Sequence, residues 1–175
     1  QYAYVVTGGF ERGDNAVKRI ALAGGKVETL AAGGAVTTGV IASDGVWVYW
    51  GGIGAGNATT TTSGTALPDR ATSLRAVPTG GGNPIVLASL PARPAAIALD
   101  GTFAYVMTSS RQPESGRIVR VPKRGGTATT LLSGYAGLSG MVVDSTSLCF
   151  TTPEGLYRAN KDGASPTLIV AGARK

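Results

Sequence analysis

Short apolar runs alternate with Gly-rich turns along this chain, and their order recurs nearly four times in 175 residues. Each repeat has an apolar run that ends in Asp, an aromatic-bearing run, a run with a central Arg and, after a Gly-rich turn, a last apolar run. Short runs rich in Val, Ile, Thr and Tyr, bounded by Gly or Asp-Gly, indicate β-strands. No stretch keeps the i, i+3, i+4 apolar spacing of a helix, so the pattern predicts an all-β fold nearly free of helix.

The spacing of the repeats predicts the architecture. The aromatic runs align on Tyr4, Tyr49, Tyr105 and Phe150, which are 45, 56 and 45 residues apart. Four short antiparallel strands in a unit of about 45 residues are typical of a β-propeller blade, and we call these strands A to D from the propeller axis outward. One partial propeller domain is predicted over 1–175, with blades at approximately 1–34, 35–91, 92–136 and 137–175. The first blade lacks strand A, because no apolar run precedes Tyr4.

The third repeat carries a resemblance to a known family. It contains Ala96-Ile97-Ala98-Leu99-Asp100-Gly101, then Tyr105-Val106-Met107, then a run from Arg117 to Gly126 that ends in Pro-Lys-Arg-Gly-Gly. With its counterparts in the other repeats, this pattern resembles the YWTD/NHL-type β-propellers, in particular their bacterial versions. The resemblance covers essentially the whole chain. It implies a propeller fold and little about function, because such propellers host many activities.

About four blades, one of them incomplete, leave three interpretations of the ring. A propeller normally closes with about four to eight blades, and an open stack exposes sheet faces that invite association. The chain is part of a larger propeller whose missing blades lie on the same or another polypeptide, or half of a ring made by two copies, or a small ring that closes alone. The first interpretation is favoured, since no segment is available as the innermost strand of the first blade.

Charge and composition narrow the classes of partner. The net charge of +6 comes from 16 basic and 10 acidic residues, and Lys26, Lys123, Arg124 and Lys161 fall in predicted C–D turns. No aromatic residues interleave with the basic ones in a way that suits base stacking, so nucleic acid is not an expected partner. The apolar runs are too short to span a bilayer, so no membrane span is expected. We expect a secreted, periplasmic or cell-surface location.

The chain contains no His, which weighs against catalysis. The lyase, lactonase and amidating propellers that it resembles rely on His as a base or metal ligand, and a Ser-His-Asp or Cys-His arrangement cannot form within this chain. No catalytic residue, metal ligand or cofactor is predicted; Ca²⁺ or Mg²⁺ is expected only if the chain is part of an enzyme. The single Cys149 falls in a strand B run and is predicted to be a buried structural thiol.

Two sets of charged residues recur once per repeat and are interpreted as structural. Asp44, Asp100 and Asp144 end strand A, and Arg19, Arg75, Arg120 and Arg158 occupy what the sequence indicates as one position in strand C. Their regular spacing favours Asp–Arg pairs that fix the register of neighbouring blades over a ring of metal ligands or an acid/base set.

The connections between strands B and C differ most between repeats, and their charges do not repeat. Loops of variable length on a rigid scaffold are where recognition usually resides. The predicted ligand-binding residues are Arg12, Asp14, Trp50, Asp69, Arg70, Arg111 and Glu154. Trp50 borders the longest of these loops, where it is either an aromatic platform or, as favoured, a core residue of strand B.

The favoured function is a non-catalytic binding module that recognises a protein or glycan through its long-loop face. Two alternatives remain. One is part of a propeller lyase or hydrolase with its catalytic residues on absent blades. The other is a structural or assembly protein that forms oligomers through open blade edges.

Overall fold

The computed structural model describes residues 1–9, 12–32, 36–54, 61–62, 64, 71–109 and 115–172, and only the backbone at 9, 12–14 and 36–38. All regular structure in this part of the chain is β-strand, and no helix long and apolar enough to cross a membrane occurs in it. The strands are β1 (Tyr2–Gly9), β2 (Arg12–Ala21), β3 (Glu28–Ala32), β4 (Val36–Ser43), β5 (Trp47–Ile53), β6 (Thr72–Pro78), β7 (Ile85–Leu90), β8 (Arg93–Leu99), β9 (Phe103–Ser109), β10 (Gly116–Pro122), β11 (Thr129–Tyr135), β12 (Gly140–Val143), β13 (Ser147–Thr152), β14 (Gly155–Asn160) and β15 (Thr167–Ala171).

These strands form four antiparallel sheets in chain order, and each strand pairs with its neighbour in sequence. Sheet one contains β1–β3, sheet two β4–β7, sheet three β8–β11 and sheet four β12–β15. Sheet one therefore has three strands and the others have four, so the predicted all-β fold of four-stranded propeller blades with an incomplete first blade is confirmed. The stack is not closed into a ring.

The Asp that ends strand A folds the turn to strand B in each complete sheet. Asp100 Oδ1 accepts hydrogen bonds from the amides of Thr102 at 2.8 Å and Phe103 at 2.7 Å. Asp44 and Asp144 make the same pair of bonds in sheets two and four. A short carboxylate side chain that bonds the backbone two and three residues later stabilises a tight turn. The A–B turn is therefore built locally, from one residue.

Counting from these Asp residues gives the true equivalence of the strand B positions. The fifth residue after Asp is Tyr49 in sheet two, Tyr105 in sheet three and Cys149 in sheet four. The alignment of Phe150 with the two tyrosines was wrong, because Phe150 is the sixth residue and corresponds to Trp50 and Val106. An aromatic side chain one position later on a strand points to the opposite face of the sheet.

Each sheet has two faces that pack on different neighbours. We call the face turned to the next sheet in chain order the leading face, and the other the trailing face. In sheet three, Tyr105 is on the leading face and packs with Leu148 and Phe150 of sheet four. Val106 is on the trailing face and packs with Tyr49 and Leu87 of sheet two. The core therefore consists of three separate layers, one between each pair of successive sheets.

A β-bulge recurs in strand D of every sheet. The C–D register shifts by one residue at the same place, so Leu30, Leu87, Leu131 and Ile169 have no direct partner in strand C. The first three pack in the layer in front of their own sheet. Because a bulge increases the local twist, strand D of all four sheets has a site of increased twist at the same position.

Candidate functional site

The connections between the described strands lie on two opposite rims of the stack, and their lengths are constant on one rim and variable on the other. On the turn rim, every A–B turn has three residues, at 44–46, 100–102 and 144–146, and every C–D turn has six, at 22–27, 79–84, 123–128 and 161–166. On the opposite rim, which we call the loop rim, the B–C connections occupy 10–11, 54–71, 110–115 and 153–154. The turn rim therefore repeats one set of turn lengths, whereas the B–C connections of the loop rim share no common length.

Ion pairs on the turn rim join successive sheets. Lys123, the first residue of the C–D turn of sheet three, lies 2.7 Å from Asp44 Oδ2 of sheet two. Lys161, at the same position in sheet four, pairs with Asp100 Oδ2 of sheet three. The side chains of both Asp residues are at most 20% exposed, so these pairs are partly shielded from solvent.

A tyrosine completes each of these clusters. Tyr49 donates its hydroxyl hydrogen to Asp44 at 3.0 Å, and Tyr105 does so to Asp100 at 3.1 Å. The ammonium of Lys123 lies 5.8 Å from the Tyr49 ring centroid, within the range of a cation–π contact. Lys161 lies 5.9 Å from the Tyr105 ring centroid. We call each set of Asp, Tyr and following-sheet Lys a joint.

The joints hold their carboxylates in the ionised form. Burial alone would raise the pKa of Asp44, but hydrogen bonds from Lys123, the turn amides and Tyr49 outweigh it and lower that pKa to about 2. The balance is the same for Asp100, where Lys161 and the turn amides lower the pKa to about 2. Burial, and then the bond to Asp100, raise the pKa of Tyr105 to about 12. A carboxylate with so low a pKa carries no proton at neutral pH and is poorly suited to general acid–base chemistry.

The predicted Asp–Arg pairs between blades are therefore corrected, because the partner of Asp44 and Asp100 is a Lys in the next C–D turn. Arg19, Arg120 and Arg158 share one register position, opposite Tyr4, Tyr105 and Cys149 respectively. Arg75 pairs in register with Trp50 and lies one residue away from that position. The four Arg residues thus do not form a single series.

The Arg side chains make different contacts. Arg19 pairs with Glu28 at 2.6 Å and donates to the carbonyl oxygen of Thr79 in sheet two, so it does join two sheets. Arg75 is 4% exposed and donates to Ser73 Oγ at 3.1 Å and to the Gly54 carbonyl oxygen at 2.8 Å. Arg120 stacks over the Phe103 ring, and Arg158 donates to Ser147 Oγ at 2.8 Å. The last three contacts lie within one sheet.

The turn rim also has a cleft of about 910 Å³ where sheets two and three meet. Its lining includes Asp44, Tyr49, Asp100, Lys123 and Arg124. Four of these five side chains belong to the joints and already bond one another or Lys161. The acidic and phenolic groups of the cleft, and its Lys123, are therefore already engaged in holding the sheets together.

Part of the longest B–C connection packs against the scaffold. The amide of Thr62 donates to the Val86 carbonyl oxygen of β7 at 2.8 Å. A Cβ at Gly125 would lie 1.7 Å from Thr62 Oγ1, so this glycine permits the close approach. Thr61 is buried. This portion lies between the outer strand of sheet two and the C–D turn of sheet three, and it covers part of a sheet edge.

The structure places only some of the predicted ligand-binding residues. Trp50 is 4% exposed in the layer between sheets one and two, which contradicts the aromatic-platform interpretation. Glu154 is exposed on the loop rim and accepts a hydrogen bond from Tyr157 at 2.5 Å. Arg12 and Asp14 lie at the start of β2, near the same rim, and the structure describes only their backbone. Asp69, Arg70 and Arg111 fall outside the described residues.

Sequence reasoning missed the two lysines that matter most to the geometry. The sequence places Lys123 and Lys161 in predicted C–D turns without assigning them a contact, although each is the first residue of a six-residue turn. That shared position was the available signal. The described part of the chain contains no group of three or more His, Cys, Asp or Glu residues close enough to hold a metal ion.

No protein-family profile and no curated protein matches this chain. Among solved structures, it resembles a chain of a nidogen/laminin complex, with TM-score 0.67 and 18% identity over 97% of this chain and 61% of that one. It also resembles a putative TolB from Agrobacterium tumefaciens, with TM-score 0.62 and 19% identity over 92% of this chain and 56% of that one. A third similar structure is an oligogalacturonate lyase in complex with manganese, with TM-score 0.61 and 14% identity over 91% of this chain and 47% of that one. At such identities the likeness shows a β-propeller fold alone, and this chain spans 47% to 61% of those chains.

Proposed function

We propose that this chain is a non-catalytic propeller module that binds a protein or glycan through its loop rim. One observation carries the proposal: the strand connections vary in length on that rim and are constant on the other. Selection for packing alone would keep both rims regular. Variable connections on a rigid scaffold are the usual site of recognition, because they change without cost to the core. We also propose that the blades of this module are repeats of the YWTD/NHL type.

The turn rim is the less favoured surface. Asp44 and Asp100 on that rim are ionised and bonded within the joints, so a ligand that used them would first have to break an ion pair. Truncating one partner of a shielded charge pair is costly, since the other charge is left unpaired. On the loop rim, the exposed carboxylate of Glu154 accepts a hydrogen bond from the partly buried Tyr157 and forms no ion pair with the described residues.

The proposal is tested by placing a photo-crosslinking residue at position 154 on the loop rim. A matched variant carries the same group at Arg124, which is equally exposed but lies on the turn rim. Each variant is exposed to extracts of the source and to an array of defined glycans. We expect adducts, or glycan binding that the added group blocks, at position 154 only. Equal labelling at both positions, or labelling at 124 alone, would reject the loop rim.

A ligand identified in this way is then measured against alanine substitutions at Arg12, Asp14, Arg70 and Arg111. Because a few residues usually dominate an interface, the combined variant should weaken binding by about tenfold or more, whereas Arg124→Ala should change little. The measurement is repeated with a chelator and with added Ca²⁺ or Mg²⁺. Turnover of the ligand that depends on the metal would replace the binding proposal by the enzymatic alternative.

A further inference from the structure

Sheet four presents a leading face that has the same construction as the faces buried elsewhere in the stack. In sheet three, this face carries the cross-strand row Ala98, Tyr105, Arg120 and Thr129, and sheet four covers Ala98 and Tyr105 of that row. Counting from Asp144, the equivalent row in sheet four is Val142, Cys149, Arg158 and Thr167. Within the residues that the structure describes, no sheet packs on this second row.

Side chains on this face are far more exposed than their equivalents on the covered face of sheet two. The bulge residue of strand D is 0% exposed as Leu87 in sheet two and 50% exposed as Ile169 in sheet four. The next residue is 2% exposed as Ala88 and 58% exposed as Val170. Val142 is 65% exposed. An apolar surface of this kind, flanked by charged groups, marks an interaction site.

The acidic part of a joint is also present at the edge of this face. Asp144 makes the same turn bonds as Asp44 and Asp100. In the described part of the chain, no Lys or Arg lies within ion-pairing distance of it, and Cys149 replaces the Tyr that would donate to it. At both complete joints, the position opposite the Asp is filled by a Lys that opens the C–D turn of the following sheet.

We propose that the leading face of sheet four is an interaction surface for a further propeller blade. That blade carries apolar side chains on its trailing face and a Lys as the first residue of a six-residue C–D turn, and the Lys pairs with Asp144. The surface continues an interface that the molecule already builds three times. The charge of the partner follows from the two existing Lys–Asp pairs.

The first sheet of a second copy does not meet these requirements. The first residue of its C–D turn is Leu22, which has no charge to offer Asp144. Its trailing face carries Lys18 in register with Val5, where sheet three has the buried pair Val106 and Val119. A head-to-tail contact would bring that ammonium toward Cys149 and Arg158, which is unfavourable for the charge pair. The proposed occupant is therefore a blade of different sequence from sheet one.

The test extends the full chain by one blade and reads the reactivity of Cys149, which is partly exposed on the open face and is thus not the buried thiol that the sequence predicted. A second copy of 137–172, with its own Cys149→Ser, is joined after residue 172, which reproduces the four-residue connection of 136–139. This added sheet supplies Lys161 and the trailing face that already packs on sheet three. A second probe joins 92–136 at the same point, supplies Lys123 and contains no Cys. The two probes make the result independent of the folding of either added sheet.

We expect labelling of Cys149 by a small maleimide to slow by about tenfold or more in both extended chains, because a covered thiol reacts only when the sheet opens. Lys161→Met in the added copy should restore much of the original rate. Asp162→Asn in the same copy, which alters the neighbouring turn residue, should not. The same rescue is expected from Asp144→Asn in the original part of the chain.

Three results would overturn the proposal. Labelling that is unchanged in both extended chains would show that the face does not accept a blade. Protection that persists after Lys161→Met would remove the lysine requirement. A stable dimer of the unextended chain, with Cys149 protected and dissociation caused by Asp144→Lys, would identify a second copy as the occupant.

Discussion

At the scale of single residues, the carboxylates of the joints do two tasks with different oxygens. In Asp100, Oδ1 folds the A–B turn, while Oδ2 binds Tyr105 of its own sheet and Lys161 of the next. One side chain therefore links the local turn to the packing of the following sheet. Because the charged form is the one that all these donors favour, protonation weakens every bond at once.

This arrangement predicts an acid-dependent stability. The pKa of Asp100 is lowered from 3.8 to about 2 in the folded protein, so its contribution is complete above pH 4 and is lost as the pH falls toward 2. The shift corresponds to about 2 kcal/mol, from 1.36 kcal/mol per pKa unit. Asp100→Asn should therefore reduce the free energy of unfolding at pH 7 by about that amount or more, since the Lys161 ammonium also loses its partner.

The measurement is denaturant unfolding of both proteins between pH 2 and 7. The difference between them should shrink steadily below pH 4. Asp162→Asn is the control, because Asp162 is an exposed turn residue that accepts one amide hydrogen bond, from Ala164. A difference that stays constant with pH would contradict the assigned role of the ionised carboxylate.

At the scale of elements, the recurring bulge gives every blade the same outer strand. The extra residue in strand D is a large aliphatic side chain in all four sheets. It fills the layer in front of its sheet wherever another sheet follows. The consequence is that one sequence position has two different environments, covered in sheets one to three and open in sheet four.

Two substitutions at this position form a matched pair. Leu87→Ala removes a side chain that is 0% exposed and should destabilise the protein by about 2–5 kcal/mol, because it leaves a cavity in a closed layer. Ile169→Ala, at the equivalent and half-exposed position, should cost less than about 1 kcal/mol in the isolated chain. Thermal or denaturant unfolding measures both. Equal losses would mean that sheet four is covered in solution.

The strands and turns were predictable because their signals are local. Short runs rich in Val, Ile, Thr and Tyr, bounded by Gly or Asp-Gly, identify the elements of the complete sheets, and the sequence also shows that the first unit lacks strand A. The equivalence of Phe150 was misjudged because its aromatic character masked a shift of one residue. The bulges have no signature within one strand, since they exist only relative to the partner strand.

The contacts of the candidate site were less predictable, because they depend on the packing of sheets. Asp and Arg each recur once per repeat, which suggested that they pair. The actual partners of the Asp residues, Lys123 and Lys161, follow only from the way successive sheets are offset in the stack. The ambiguity of Trp50 had the same origin. Its place between sheets one and two follows from which face of β5 is the trailing face, and the sequence of β5 alone does not specify that.

At the scale of the whole molecule, the stack is layered, and its two ends differ from its middle. Sheets two and three are covered on both faces, while sheet four has one open face and Val5 on the trailing face of sheet one is 45% exposed. In a stack where each sheet contacts only its neighbours, local stability depends on how many faces are covered.

Hydrogen exchange of the native protein should therefore show a gradient along the chain. Amides in β6 and β9 are expected to be protected longest, because they lie within the doubly covered sheets. Amides in β15 should exchange fastest, because all five of its residues are exposed. Mass spectrometry of peptides from each strand measures the gradient. Equal protection of β9 and β15 would show that the ends are covered or that the chain opens as a single unit.

The position of the joints also bears on how such a chain lengthens during evolution. In the third repeat, Lys123 pairs with an Asp of the sheet before it and Asp100 pairs with a Lys of the sheet after it. The fourth repeat has Lys161 and Asp144 at the same positions, with Asp144 available to a Lys of a following sheet. A duplication that copies one such repeat therefore inserts a unit whose two ends fit its neighbours at once. Repeat number can change by whole units in one genetic event, without compensating substitutions, and the direction of the stack is preserved.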